Sequence, residues 1–127
     1  RAFAAARTMV GVPFRAQGRD PRCGLDCVGL VWAAYAAAGC ALQAPCDYPL
    51  RGWSRGRIVF ALMATGFRAV ADRADGDVAL IALPAGQFHL GLVGPGSMVH
   101  AHAGLRRVVE TPPDDAMRAA GRWRLER

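Results

Sequence analysis

The sequence predicts an α+β domain in which helices come first and an antiparallel sheet follows. Three observations carry that expectation. Up to residue 66 the apolar residues fall into helix-length runs bounded by capping residues. Beyond residue 66 the spacing changes to alternation, in short runs punctuated by Gly, Pro, Asp and Ser. The whole chain, residues 1–127, contains no linker, repeat or low-complexity tract, and its length suits a single domain with a single core. Helices followed by strands describe a sheet that backs a central helix.

Taken in order, the first ten residues read as a helix stopped by Gly11-Val12-Pro13, and a loop follows through Cys23. From Asp26 to Ala38 the chain is rich in Ala, Leu and Val. Asp26 is placed to cap the helix start, and Gly39 to end it in a left-handed conformation. So apolar a helix is expected to be buried on most sides. A turn-rich segment with Pro45 and Pro49 leads to Ser54, the N-cap of a further helix ending near Gly66. Strands are expected at residues 67–70, 77–83, 89–93, 97–101 and 105–110, then one or two helical turns at 114–120 and a last strand around Trp123.

Composition narrows the function classes. The apolar fraction of 53% and the ordinary charged fraction exclude collagen-like and disordered chains. The longest apolar candidate, Val28 to Cys40, is too short for a membrane span, so none is expected. The chain begins at Arg1, which leaves a leader or further residues ahead of it open. Net charge is +6 and every basic residue is Arg, a bias read as genome composition. Such a surface favours anionic polymers diffusely. The arginines are scattered, and aromatic residues do not interleave with them, so sequence-specific nucleic-acid binding is not expected. Cys23, Cys27, Cys40 and Cys46 lack the paired spacing of a zinc ribbon, so no metal is expected, and their redox state is left open.

The most informative stretch is Gly24-Leu25-Asp26-Cys27-Val28-Gly29-Leu30-Val31, where a Cys enters the first turn of an apolar helix. There the unpaired backbone N–H groups and the positive dipole end stabilise a thiolate and can serve a developing oxyanion. Gly29 keeps the helix thin where another backbone or a substrate approaches. The plainer reading makes Cys27 a core residue and Asp26 only a cap. A nucleophilic Cys needs a base, and three histidines are available: His89, His100 and His102. They fall on two consecutive strands joined by Gly94-Pro95-Gly96-Ser97, which has the composition of a tight turn. With Pro95 and Gly96 central, Gly91 lies opposite His100, and alternation puts His89, Gly91, His100 and His102 on one face. His100 then sits diagonally from His89, close enough to hold its ring. A Cys at a helix start facing a His on a sheet, with a second polar group behind, is a triad arrangement.

These residues resemble the NlpC/P60 cell-wall peptidases, and within them the phage-tail and gene-transfer-particle branch. The resemblance rests on Gly11-Val12-Pro13-Phe14 with Gln17-Gly18-Arg19, Asp26-Cys27-Val28-Gly29-Leu30-Val31, Gly76-Asp77-Val78, His89-Leu90-Gly91-Leu92-Val93 and Met98-Val99-His100-Ala101. It implies a papain-like fold with Cys27 as nucleophile, His89 as general base and His100 as the residue orienting that base, and no cofactor. It implies hydrolysis of an amide in peptidoglycan stem peptides, next to γ-D-glutamyl and diaminopimelate residues, by a chain carried in a virion or gene-transfer-particle tail beside hub and baseplate proteins. A secreted or periplasmic bacterial protein is the alternative location. Asp26, Phe14 and Val28 map to substrate-binding positions, with two departures. Phe14 stands where many relatives carry Tyr, and Val28 where many carry Ser, changes that bear on which peptide end is gripped. Three other readings remain: a papain-like amidase or transacylase, a vestigial tail-tip or baseplate subunit, and a wall-binding module without catalysis.

Overall fold

Helix α2 (Cys27–Ala37) reads CVGLVWAAYAA and has no charged side chain. A helix apolar all round is stable only where protein covers it. The computed structural model, which describes residues 1–40, 42 and 54–125, packs it against helix α1 (Ala2–Arg7) and against a six-stranded sheet. The expected Pro45 and Pro49 turns and Cys46 lie outside the described residues. The expected caps of α2 form: the Asp26 carboxylate accepts from the Gly29 N–H at 2.8 Å, and Gly39 follows with φ +92°. Helix α3 (Arg55–Thr65) starts at Ser54, whose hydroxyl accepts from the Arg57 N–H at 3.2 Å, and ends at left-handed Gly66. Both helices were legible because their caps are side chains with one geometric use.

Two elements ahead of the main sheet differ from expectation. Helix α1 stops at Arg7 rather than near residue 10, because the Thr8 hydroxyl bonds back to the Ala5 carbonyl at 2.6 Å and the chain turns through residues 8–11. The expected loop before Cys23 contains a small hairpin, β1 (Arg19–Asp20) with β2 (Gly24–Leu25), too short for alternation to reveal. Phe14 bridges to Leu25, while the Gly11 and Phe14 N–H groups donate to Val108 and Arg106. Residues 11–14 thereby tie this hairpin to the edge of the main sheet.

The main sheet is antiparallel throughout, with strands β3 (Phe67–Val70), β4 (Val78–Leu83), β5 (Gln87–Val93), β6 (Met98–His102), β7 (Arg107–Thr111) and β8 (Gly121–Leu125) in the order β3-β8-β4-β5-β6-β7. One face carries Val78, Leu80, Leu90, Leu92, Val99, Ala101 and Val108, and buries them with the apolar residues of α1 and α2. On the opposite face Ala79, Ile81, Val93 and Met98 form a smaller cluster under Met117 of helix α4 (Asp115–Ala119). β8 is fastened to the start of β4 by a bidentate pair. Arg124 Nε and Nη2 donate to the two oxygens of buried Asp77 at 2.8 and 3.0 Å.

Gly29 sets the approach of α2 to the β1 region. A Cβ built there collides with the carbonyl oxygen of Gly18, a backbone atom that cannot rotate away. Gly29→Ala is therefore expected to destabilise the domain by about 2 kcal/mol or more, the range of overpacked sites. Thermal or chemical denaturation reads this directly, and an unchanged midpoint contradicts it.

Candidate active site

Cys27 opens α2 on the heels of its cap, so its position follows from how Asp26 is held. Asp26 is buried, and besides capping Gly29 its second oxygen accepts from the N–H of Gln17 at 2.7 Å, where Gln17 takes a left-handed φ of +57°. With the Gly29 N–H occupied by the cap, the N–H groups of Cys27 and Val28 are left near the thiol, where they favour its ionised form. A third N–H comes from Leu90 on β5. Its direction follows from strand parity: Val93 N–H goes to Asp77 on the β4 side, so Leu90 N–H faces β6. The β5–β6 ladder holds only the pairs Leu92–Val99 and Val93–Met98, and the thiol meets β5 where that pairing has ended.

The hairpin register is the expected one. Gly94 N–H bonds the Ser97 carbonyl at 2.9 Å, and continuing the ladder from Leu92–Val99 sets Gly91 opposite His100. Gly91 makes room mainly for Met98, whose sulfur lies 2.7 Å from where a Cβ would stand, while the His100 Cβ is 3.5 Å away. His89 is paired with Ile81, so the histidines share the α4 face of the sheet and not the face on which α2 packs. Cys27 and His89 therefore reach one cleft from opposite sides of the sheet layer, at the splayed ends of β5 and β6. A cleft of about 360 Å³ is lined by Cys27, His89, His100 and His102 together with Phe14, Asp26, Phe88 and Asp114.

His89 Nε2 lies 3.2 Å from His100 Nδ1, with the rings edge to face at 81°. His100 is 4% exposed, and its Nε2 is 3.0 Å from the Thr111 hydroxyl. His89 Nδ1 has no hydrogen bond among the described residues, which leaves it for a proton from the cleft. His102 accepts the Leu105 N–H on Nδ1 at 3.0 Å and so closes its own turn instead of holding His89. Of the expected substrate-binding residues, Phe14 and Asp26 line the cleft. Val28 is half-buried against the helical core and is not among the lining residues. Thr111, Asp114 and the Leu90 N–H escaped sequence reasoning. Thr111 lies one residue past the expected end of its strand, and a backbone N–H leaves no trace in sequence. Among the described residues no group of three or more His, Cys, Asp or Glu is placed to hold a metal ion. No helix among them is long and apolar enough to cross a membrane.

Charge in the cleft runs against the thiolate expected at a helix start. Burial pushes the Cys27 thiol up to about 11; the N–H groups of Leu90, Val28 and Cys27 oppose this, and the Asp26 carboxylate adds to it. Burial likewise pushes His89 down to about 4, helped by His100 and His102. His100 is lowered too, by burial and then by His102, against a pull upward from Asp114. Burial therefore favours the neutral thiol and the neutral imidazole over the charged pair.

No family model and no curated protein matches the sequence, but solved structures match the fold. The NlpC/p60 domain of the peptidoglycan hydrolase SagA superposes with a TM-score of 0.60 at 21% identity, over 99% of this chain and 96% of that one. The fold is the NlpC/P60 fold. The peptidoglycan hydrolase RipB of Mycobacterium tuberculosis matches with a TM-score of 0.63 at 23% identity, over 99% of this chain and 64% of that one, so the chain spans just under two thirds of its length. RipD of the same organism matches equally well, with a TM-score of 0.63 and 23% identity over 98% and 95%. RipD is described as a non-catalytic NlpC/p60 domain protein adapted to peptidoglycan binding. Within this fold, catalysis is a property of the site's residues.

A neutral resting pair has a kinetic signature. With the thiol at about 11, the thiolate fraction rises about tenfold per pH unit from pH 6 to 9. The rate of Cys27 alkylation by iodoacetamide is expected to follow it. A plateau across neutral pH contradicts the neutral pair and indicates a preformed thiolate–imidazolium.

Proposed function

We propose that this chain is a cysteine peptidase of the NlpC/P60 type that hydrolyses amide bonds in peptidoglycan stem peptides, of the γ-D-glutamyl-diaminopimelate kind. The observation that carries the reading is the joint placement of Cys27, His89 and His100 in one cleft, with His89 Nε2 held by His100 and Nδ1 left over. The SagA and RipB structures share the fold and are peptidoglycan hydrolases.

The chemistry begins from the neutral pair. As the Cys27 sulfur bonds to the substrate carbonyl carbon, its proton passes to His89 Nδ1 and the carbonyl π electrons move to oxygen. The N–H groups around the sulfur, Cys27 and Val28 on α2 and Leu90 on β5, are the available donors for that oxyanion. Collapse breaks the C–N bond, and the amine leaves with the proton from His89. Water then attacks the thioester, gives a proton to His89 and releases the acid, and that proton returns to sulfur. Phe14 offers an apolar wall where a hydroxyl would otherwise stand. Asp26, already spanning two backbone N–H groups, contributes chiefly by fixing the start of α2.

The resemblance also supports a setting: a phage-like or gene-transfer-particle tail, where the domain opens the wall for DNA passage beside hub and baseplate proteins. A second reading, wall binding without cleavage, is favoured by one observation, the non-catalytic RipD on the same fold. The intact Cys27, His89 and His100 weigh against it here.

Digests of purified peptidoglycan, analysed by mass spectrometry of the released fragments, separate the two. Wild type is expected to release peptide-cleaved products. Cys27→Ala and Cys27→Ser are expected to release none while keeping the wild-type melting temperature. His100→Ala is expected to lower turnover about 100-fold and His102→Ala to change it little. Wall binding by wild type without any cleavage overturns the peptidase reading. For the setting, proteomics of purified particles beside the secreted fraction of the same culture is expected to find the chain in particles. Recovery only as a free secreted protein overturns the tail assignment and leaves the peptidase reading intact.

A further inference from the structure

We propose that Thr111 is a positioning residue of this site, accepting the Nε2–H of His100 and so fixing the tautomer through which His100 orients His89. The inference rests on the peptidase reading above for its kinetic consequence but not for its geometry. For His89 Nδ1 to take the thiol proton, the neutral ring must carry its hydrogen on Nε2. That Nε2–H then donates to His100 Nδ1, 3.2 Å away. His100 can accept there only if its own hydrogen sits on Nε2, and the atom 3.0 Å from that nitrogen is the Thr111 hydroxyl. The links are coupled: with Thr111 accepting, His100 is the Nε2–H tautomer and His89 presents a bare Nδ1 to the cleft. The opposite chain, with Thr111 donating, puts the hydrogen of His89 on Nδ1 and leaves no base for the thiol.

The surroundings hold Thr111 in place. It pairs with Met98 across β6–β7, and Pro112 follows it, which restricts its backbone to extended conformations. His100 is buried and pushed toward its neutral form, so its two nitrogens act as one donor and one acceptor. His102 engages its Nδ1 elsewhere, accepting the Leu105 N–H.

The test combines Thr111→Val and Thr111→Ser with ¹⁵N NMR of the imidazoles. In wild type, His100 is expected to show a protonated Nε2 and a bare Nδ1, and His89 the same. Thr111→Val is expected to mix these tautomers and lower kcat by about 10- to 100-fold with KM nearly unchanged, and Thr111→Ser to restore both. Three results each overturn the proposal: wild-type His100 protonated on Nδ1, Thr111→Val with wild-type tautomers and kcat, or Thr111→Ser falling as far as Thr111→Val. Should Thr111→Val fail to fold, the wild-type spectrum and Thr111→Ser still decide. If wild type cleaves no peptidoglycan, the peptidase reading fails, and the wild-type tautomers decide the role of Thr111 separately.

Discussion

The site depends on one buried carboxylate. Asp26 bonds the Gly29 N–H with one oxygen and the Gln17 N–H with the other, so the start of α2 and the segment before β1 are held by a single side chain. The close seat of Gly29 on the Gly18 carbonyl completes the clamp from the backbone. Between them these contacts set the height and rotation of the first turn of α2, and therefore where the Cys27 sulfur points. A cap that satisfies one donor is worth about 1 kcal/mol in many helices. Here it also sets where the Cys27 side chain lies relative to β5.

The second constraint is an interruption. Antiparallel strands normally pair along their length, but β5 and β6 share only two pairs beyond their turn. Past them the two strands separate, β6 continuing its pairing with β7 while the Leu90 N–H is left outside the β5–β6 ladder. The opening lets a helix on one face of the sheet and histidines on the other address one cleft. It also explains the charge balance, since a thiol set among protein atoms and an imidazole over a packed sheet both resist ionising.

Much of this was legible in the residues. Asp26, Ser54, Gly39 and Gly66 marked helix ends because each supplies a cap that few residues can, and Gly94-Pro95-Gly96-Ser97 set the register that brings His100 to His89. Hidden were features that depend on the third dimension. The two-residue strands β1 and β2 are too short for periodicity. The splay of β5 from β6 carries no composition signal, and the placement of Cys27 and His89 on opposite sides of the sheet layer depends on it. The helix start at Cys27 suggested a thiolate, but burial, which a local motif does not encode, acts against it. Thr111 lay one residue beyond the expected strand end, although the His100–Val109 pairing puts it beside His100.

The most direct test of the account is acid-quenched mass spectrometry of the protein mixed with a γ-D-glutamyl-diaminopimelate stem peptide. A transient mass increase equal to the acyl half of the substrate is expected, located on the peptide that contains Cys27 and removed by hydroxylamine as a thioester is. Turnover with no adduct at Cys27, or with the adduct on Cys23 or Cys40 instead, contradicts it.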